Sequence, residues 1–337
     1  VRNAFEVYSP LLRLARAILG DQTRLVLSSE WDYSPFAYVD VPSLENYVLI
    51  GLPATESGNP MLIPLAGHEL GHSVWRRNRL REELDSKVWT GVFTYFRSRP
   101  EDLALVVPGV NKQKLDTTNL FVQKKLAPAY EWTMRQAEET FCDFAGLRLF
   151  SEAYLCAFAY LLSPSFDLAR IPSYPNHKTR VDNLKIAATK LKVQWPDGFE
   201  QLFDDLPPWT DPDPATTKLI ETADSVTATM IDDLVDRVVA TPALDGRSVP
   251  PRAGSLESQE DIVRMIEQWV VPARTPQSLC AILNAAWQAS QNKDLWKGRR
   301  EIHDKNATLR ELVLKSIEVL EYHERRREYD ERNRIAT

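Results

Sequence analysis

Three short stretches near the start of the chain are dense in β-branched and aromatic residues. They read RLVLSS over residues 24–29, FAYVDV over 36–41 and YVLIGL over 47–52, and turn-forming residues separate them. Such runs between turn signals are typical of strands, so we predict a small N-terminal sheet. Residues 1–20 have helix-spaced apolar positions instead, which predicts an amphipathic helix that is broken at Ser9-Pro10.

From residue 65 to about 200 the hydrophobic spacing is mostly helical, and the same spacing returns after residue 217. Ser258 precedes one of these later segments and is an N-cap candidate, because its hydroxyl can accept a hydrogen bond from the first turn. The last segment places five apolar residues on one face: Leu309, Leu312, Val313, Ile317 and Leu320. The pattern therefore predicts an α+β fold that is mainly α-helical, with a helical C-terminal region.

Residues 204–217, DDLPPWTDPDPATT, are rich in proline and aspartate and mark a predicted domain boundary. We accordingly predict one domain over residues 1–204 and a helical region over 205–337. The helical region is a candidate surface for a protein partner.

Composition excludes several classes of function. The net charge of −6 provides no basic surface for nucleic acid. The longest apolar run, residues 153–162, is about half as long as a membrane span requires. The first twenty residues do not resemble a secretory leader, and three widely spaced cysteines do not suggest a disulfide framework. We expect a cytoplasmic protein without a membrane span.

The stretch LAGHELGHSVW, residues 65–75, carries two histidines four positions apart. On a helix, His68 and His72 lie on one face, where both imidazoles can bind a single metal ion. Glu69 could then act on a metal-bound water as general base. Gly67 and Gly71 each cost about 1 kcal/mol inside a helix, which indicates that another backbone approaches closely. The alternative is an ordinary amphipathic helix that contains histidines by chance.

A third ligand is expected from the stretch RQAEETFCDFAGLRLF, residues 135–150. Glu139 and Asp143 are again four positions apart, on a helix whose other residues are largely apolar. Buried carboxylates are costly unless a metal or hydrogen bonds satisfy them, so Glu139 is a candidate ligand and Asp143 a candidate hydrogen-bond partner of a ligating imidazole. Glu138 with Cys142 has the same spacing and is a weaker alternative. A solvated pair of carboxylates is the non-functional interpretation.

Together the two motifs resemble the HExxH and ExxxD pair of gluzincin metallopeptidases, and they are most similar to the HtpX-like and CAAX-prenyl-protease-like branch. The resemblance covers about residues 45–185, and it implies a zincin-like catalytic domain that hydrolyses peptide bonds. It also implies one zinc ion per chain, held by His68, His72 and Glu139, with Glu69 as general base. Cys142 replaces the usual alanine, and the membrane spans common in that branch are absent from this sequence.

That branch also has a later proline- and arginine-containing segment, which residues 173–184, SYPNHKTRVDNL, resemble. Arg180 matches the family arginine and is expected near the site, behind the ligands. Tyr174 replaces the family histidine. Tyr174, or His177 after it, is therefore expected to donate a hydrogen bond to the oxyanion, unless both simply cap the helix that begins near Lys178.

Two alternatives stay open. The stretch SLENYVLIGL resembles the exopeptidase motif of gluzincin aminopeptidases, in which Glu45 would bind the substrate amine, although the third-ligand position of those enzymes falls on Gly91 here. In either kind of peptidase we expect this segment to be an edge strand that binds an extended peptide through residues such as Leu49 and Gly51. The other alternative is a non-catalytic module that uses zinc for structure and binds a partner.

Overall fold

The computed structural model describes residues 4–30, 36–38, 46–56, 58–110, 115–163, 170–204, 213–246, 257–272, 274, 276 and 278–336. Within them the chain is mainly helical, as predicted, with a small sheet near the N-terminus. The helices are α1 (Ala4–Leu19), α2 (Leu65–Arg77), α3 (Leu80–Ser98), α4 (Pro100–Val106), α5 (Leu120–Phe150), α6 (Glu152–Leu162), α7 (His177–Leu191), α8 (Pro214–Ala228), α9 (Ile231–Val239), α10 (Gln259–Glu267), α11 (Leu279–Gln291) and α12 (Lys305–Ala336). None of these described helices is long and apolar enough to cross a membrane.

Helix α1 corrects the predicted break at Ser9-Pro10, because the helix continues through Pro10. A proline inside a helix lacks the N–H for one backbone hydrogen bond and typically costs about 3 kcal/mol or more. Burial of Val7, Leu11 and Ala15 along one face contributes to holding the helix together across this point. At α10 the prediction is confirmed: Ser258 is the N-cap, and its side chain forms a capping box with Asp261.

The sheet has the strand order β1-β3-β2, with β1 over Arg24–Glu30, β2 over Phe36–Tyr38 and β3 over Tyr47–Pro53. β1 and β3 are parallel along their whole length, and β2 is antiparallel to β3. β3 is therefore the central strand, and the prediction of an edge strand is wrong. Leu49 pairs with both β1 and β2, as does Gly51, so their main chains are engaged within the sheet.

The chain forms two compact units, and the first combines residues 1–73, 145–161 and 241–337. In this unit α1 packs against β1 and α12, and α11 packs against α10 and α12. Arg13 of α1 donates to the buried carboxylate of Glu321 of α12 at 2.9 Å. Trp287 of α11 donates its indole N–H to the carbonyl oxygen of Met61 at 3.0 Å. Residues from both ends of the sequence thus share one core.

The second unit contains residues 74–144 and 162–240. Here α3 packs against α4 and α8, and α7 packs against α9. A Cβ placed on Gly91 of α3 would lie 2.6 Å from Cγ1 of Val226 of α8, so glycine permits this close crossing. The boundary predicted after residue 204 adjoins residues 205–212, which lie outside the described residues, and it stays a prediction.

Candidate metal centre

Helix α2 carries the two histidines on one face, as the spacing predicts. The rings of His68 and His72 lie edge to face, with centroids 5.2 Å apart. Leu65, Leu70 and Val74 of the same helix are buried. The apolar residues thus anchor the helix, while the imidazoles share a side where both can reach one ion.

Glu69, beside the first histidine, is 4% exposed. A carboxylate this well buried is costly to keep charged unless polar groups or a metal ion compensate. Glu69 is therefore not the solvated glutamate of an ordinary amphipathic helix.

The start of α2 crosses the end of α5 at a pair of glycines. A Cβ on Gly67 would lie 3.1 Å from the Cα of Gly146 and 3.0 Å from the ring of Phe150. Backbone therefore approaches backbone at Gly67, which confirms the close approach predicted for that position. The glycine lets the histidine helix lie directly against α5.

Tyr154 of α6 contacts the first histidine, a contact that the sequence does not predict. Its phenol oxygen lies 3.5 Å from Nδ1 of His68, and the side chain is buried. Its ring packs on Gly146, where a Cβ would lie only 2.4 Å from the ring. In the sequence Tyr154 lies within an apolar run, and its hydroxyl is the one feature of this residue that indicates a polar contact.

Helix α5 carries three buried carboxylates, on Glu138, Glu139 and Asp143, which are 7%, 6% and 1% exposed. Asp143 accepts two hydrogen bonds from the Arg180 guanidinium of α7, at 2.9 and 2.7 Å. This bidentate pair compensates the buried charge of Asp143. The two residues expected behind the ligands are thus joined to each other.

Cys142, one turn after Glu138 and Glu139, has a place in the candidate ligand set. One ligand atom each of His68, His72 and Cys142 lies within 4.8 Å of the other two. Imidazole nitrogen and thiolate sulfur are preferred zinc ligands, and carboxylate oxygen is a third type. The donor set therefore fits zinc, and it includes Cys142, which the sequence offers only as a weaker alternative.

The segment before α7 is held against α5 and α8 in the second unit. Gln136 of α5 donates to the carbonyl oxygen of Pro172 at 2.9 Å and to Asp224 of α8 at 2.7 Å. Arg170 donates to the same Asp224 oxygen at 2.6 Å. Burial raises the pKa of Asp224 and lowers the pKa of Arg170, even though each stabilises the charge of the other. These bonds hold the segment at both ends, because Arg170 is bonded to α8 and Pro172 to α5.

Tyr174 and His177 follow this anchored segment. Tyr174 is 42% exposed, whereas the ring of His177 packs edge to face against Phe203 with centroids 6.4 Å apart. The N-cap of α7 is Asn176, whose side chain accepts from the Thr179 N–H. Neither Tyr174 nor His177 is therefore the capping residue. Glu45, the candidate for binding a substrate amine, lies outside the described residues.

Comparison of the chain with models of protein families, with curated proteins and with solved structures found no match.

Proposed function

We propose that this protein is a zinc-dependent metallopeptidase of the gluzincin type. The observation that carries the proposal is the gathering of ligand atoms from His68, His72 and Cys142 within 4.8 Å. Two buried carboxylates accompany them: Glu69 adjoins His68, and Glu139 precedes Cys142 by one helical turn. A purely structural site has no need of a general base, so the buried Glu69 favours catalysis over the non-catalytic module.

In this proposal His68 and His72 would hold one zinc ion per chain with a third ligand from α5, for which the family resemblance gives Glu139 and the cluster of ligand atoms gives Cys142 as the alternative. Zinc in such a site lowers the pKa of a water molecule towards neutrality and polarises a carbonyl group. Asp143 is engaged with Arg180, and this ion pair joins α5 to α7.

Glu69 acts as the general base. It takes a proton from the attacking water and delivers that proton to the leaving amine when the peptide bond breaks. Tyr174, with His177 as the alternative, donates a hydrogen bond to the carbonyl oxygen as negative charge develops there. The substrate is a peptide or protein. We place the reaction in the cytoplasm, a location with which the absence of disulfides among the three cysteines is compatible.

Cleavage of a peptide library by the wild type and by Glu69→Gln tests the proposal. We expect Glu69→Gln to retain zinc and to lose hydrolysis, because glutamine keeps the shape of the side chain but cannot accept the proton. Glu131→Gln is the matched control, since it removes an exposed carboxylate on α5 and should stay active. Full activity of Glu69→Gln on every substrate cleaved by the wild type would contradict the mechanism.

A second experiment distinguishes Glu139 from Cys142 as the third ligand. Cobalt(II) bound by a thiolate has a strong sulfur-to-metal charge-transfer band, which a carboxylate ligand does not give. We expect the cobalt-loaded wild type to lack this band and Glu139→Gln to bind zinc more weakly than Glu138→Gln. A charge-transfer band that disappears in Cys142→Ser would show that Cys142 is the ligand instead.

A further inference from the structure

The chain passes from α5 to α6 through a single residue. Ser151 separates the two helices and has a φ of 57°, in the left-handed region that residues other than glycine rarely adopt. A break this abrupt leaves backbone groups at the end of one helix and the start of the next without partners inside their helices. Those groups need partners from elsewhere in the fold.

Asn284, more than a hundred residues further along the chain, supplies them. Its Nδ2 donates to the carbonyl oxygen of Phe150 at 2.9 Å, and its Oδ1 accepts from the N–H of Ala153 at 2.9 Å. Phe150 is the last residue of α5, and Ala153 lies in the first turn of α6. Asn284 itself is 4% exposed. The amide donates through its nitrogen and accepts through its oxygen, so one uncharged side chain satisfies a backbone group on each side of the junction.

The residue after Ala153 is Tyr154, which contacts His68. Tyr154 lies in the first turn of α6, so the start of this helix sets the direction of its side chain. The ring lies in the space that Gly146 leaves open. The phenol oxygen stands 3.5 Å from His68 Nδ1, at the long end of the hydrogen-bonding range.

We infer that Tyr154 orients the imidazole of His68 for zinc and that Asn284 is the positioning residue that holds Tyr154 in place. This inference rests on the proposed function. A neutral imidazole that binds metal through Nε2 carries its proton on Nδ1, and the phenol oxygen accepts that proton's hydrogen bond. Tyr154 thereby fixes the tautomer and the ring plane, and α11 of the C-terminal region contributes to the zinc site through Asn284.

Zinc dissociation constants, measured by competition with a chelator on the full-length protein, test this inference. We expect Tyr154→Phe to weaken zinc binding about tenfold or more, the range seen when a partner of a metal-binding histidine is removed. Tyr160→Phe is the matched control: it removes a phenol hydroxyl from the same helix, where the hydroxyl bonds to Glu56. Its zinc affinity should equal that of the wild type.

Asn284→Ala should also weaken zinc binding, whereas Gln288→Ala, an exposed change one turn along α11, should not. If Asn284 acts through Tyr154, adding Asn284→Ala to Tyr154→Phe causes little further loss of affinity. Should Asn284→Ala fail to fold, Tyr154→Phe still decides, because phenylalanine preserves the packing on Gly146.

If the wild type binds zinc and Tyr154→Phe binds it with equal affinity, this inference is wrong and the proposed function is unaffected. A wild type that binds no zinc would overturn both.

Discussion

Tyr174 and His177 are held differently, and this difference predicts which of them assists catalysis. Pro175 restricts the backbone of Tyr174 to extended conformations, and the phenol is 42% exposed, so a substrate can reach it. The ring of His177 is engaged with Phe203. We expect Tyr174→Phe to lower kcat about a hundredfold or more with zinc content unchanged, and His177→Ala to have a smaller effect. Steady-state kinetics on a cleaved peptide measure both, and an unchanged kcat in Tyr174→Phe would reject its role.

Spacing made some site residues predictable and left others hidden. His68, Glu69 and His72 lie on one helix, so helical geometry alone specifies how they are arranged. Tyr154 lies beyond the helix break at Ser151, and nothing local in its apolar run indicates the contact with a histidine. Cys142 was visible in the sequence, but its proximity to both imidazoles depends on how α5 is rotated about its axis.

At the scale of elements, the packing of α6 against α5 predicts a stability effect at Gly146. Alanine there would gain about 1 kcal/mol of helix propensity. Its Cβ, however, would lie 2.4 Å from the ring of Tyr154, which is 1% exposed and has no room to move. Overpacking of this kind typically costs about 1–3 kcal/mol, so the clash outweighs the propensity gain.

Thermal unfolding should therefore show a lower Tm for Gly146→Ala than for the wild type. Gly58→Ala is the control, because a Cβ at Gly58 meets no atom within 4 Å. A Tm for Gly146→Ala equal to or above that of the wild type would show that α5 and α6 can move apart without cost.

Strand order is the element-level feature that the sequence did not reveal. The sequence predicts all three strands, but the alternation of residues along a strand does not specify which strands pair with it. β2 pairs with β3 on the side opposite β1, which removes β3 from the edge of the sheet. Strand pairing between separated segments depends on the whole fold. A helix cap such as Ser258, by contrast, depends on four consecutive residues and was predictable.

At the scale of the whole molecule, the first compact unit draws on both ends of the chain. Its sheet, α1 and the start of α2 share a core with α10, α11 and α12. A fragment of residues 1–210 would lose these three helices and expose the apolar surface that they cover, including the surroundings of Met61, to which Trp287 is bonded. We expect this fragment to aggregate or to unfold without cooperativity, as followed by circular dichroism during heating. A cooperative transition with bound zinc would instead support an independent domain over residues 1–204.

The central claim is that His68 and His72 hold a catalytic zinc ion, and native mass spectrometry of the zinc-loaded protein tests it most directly. We predict a mass increase of about one zinc ion per chain in the wild type and in Glu69→Gln. His72→Ala should lose this increase, because two of the three protein ligands do not suffice for tight binding. His323→Ala is the control, since this histidine lies on α12, outside the candidate ligand set. A wild type that carries no zinc, or His72→Ala with undiminished zinc, would contradict the claim.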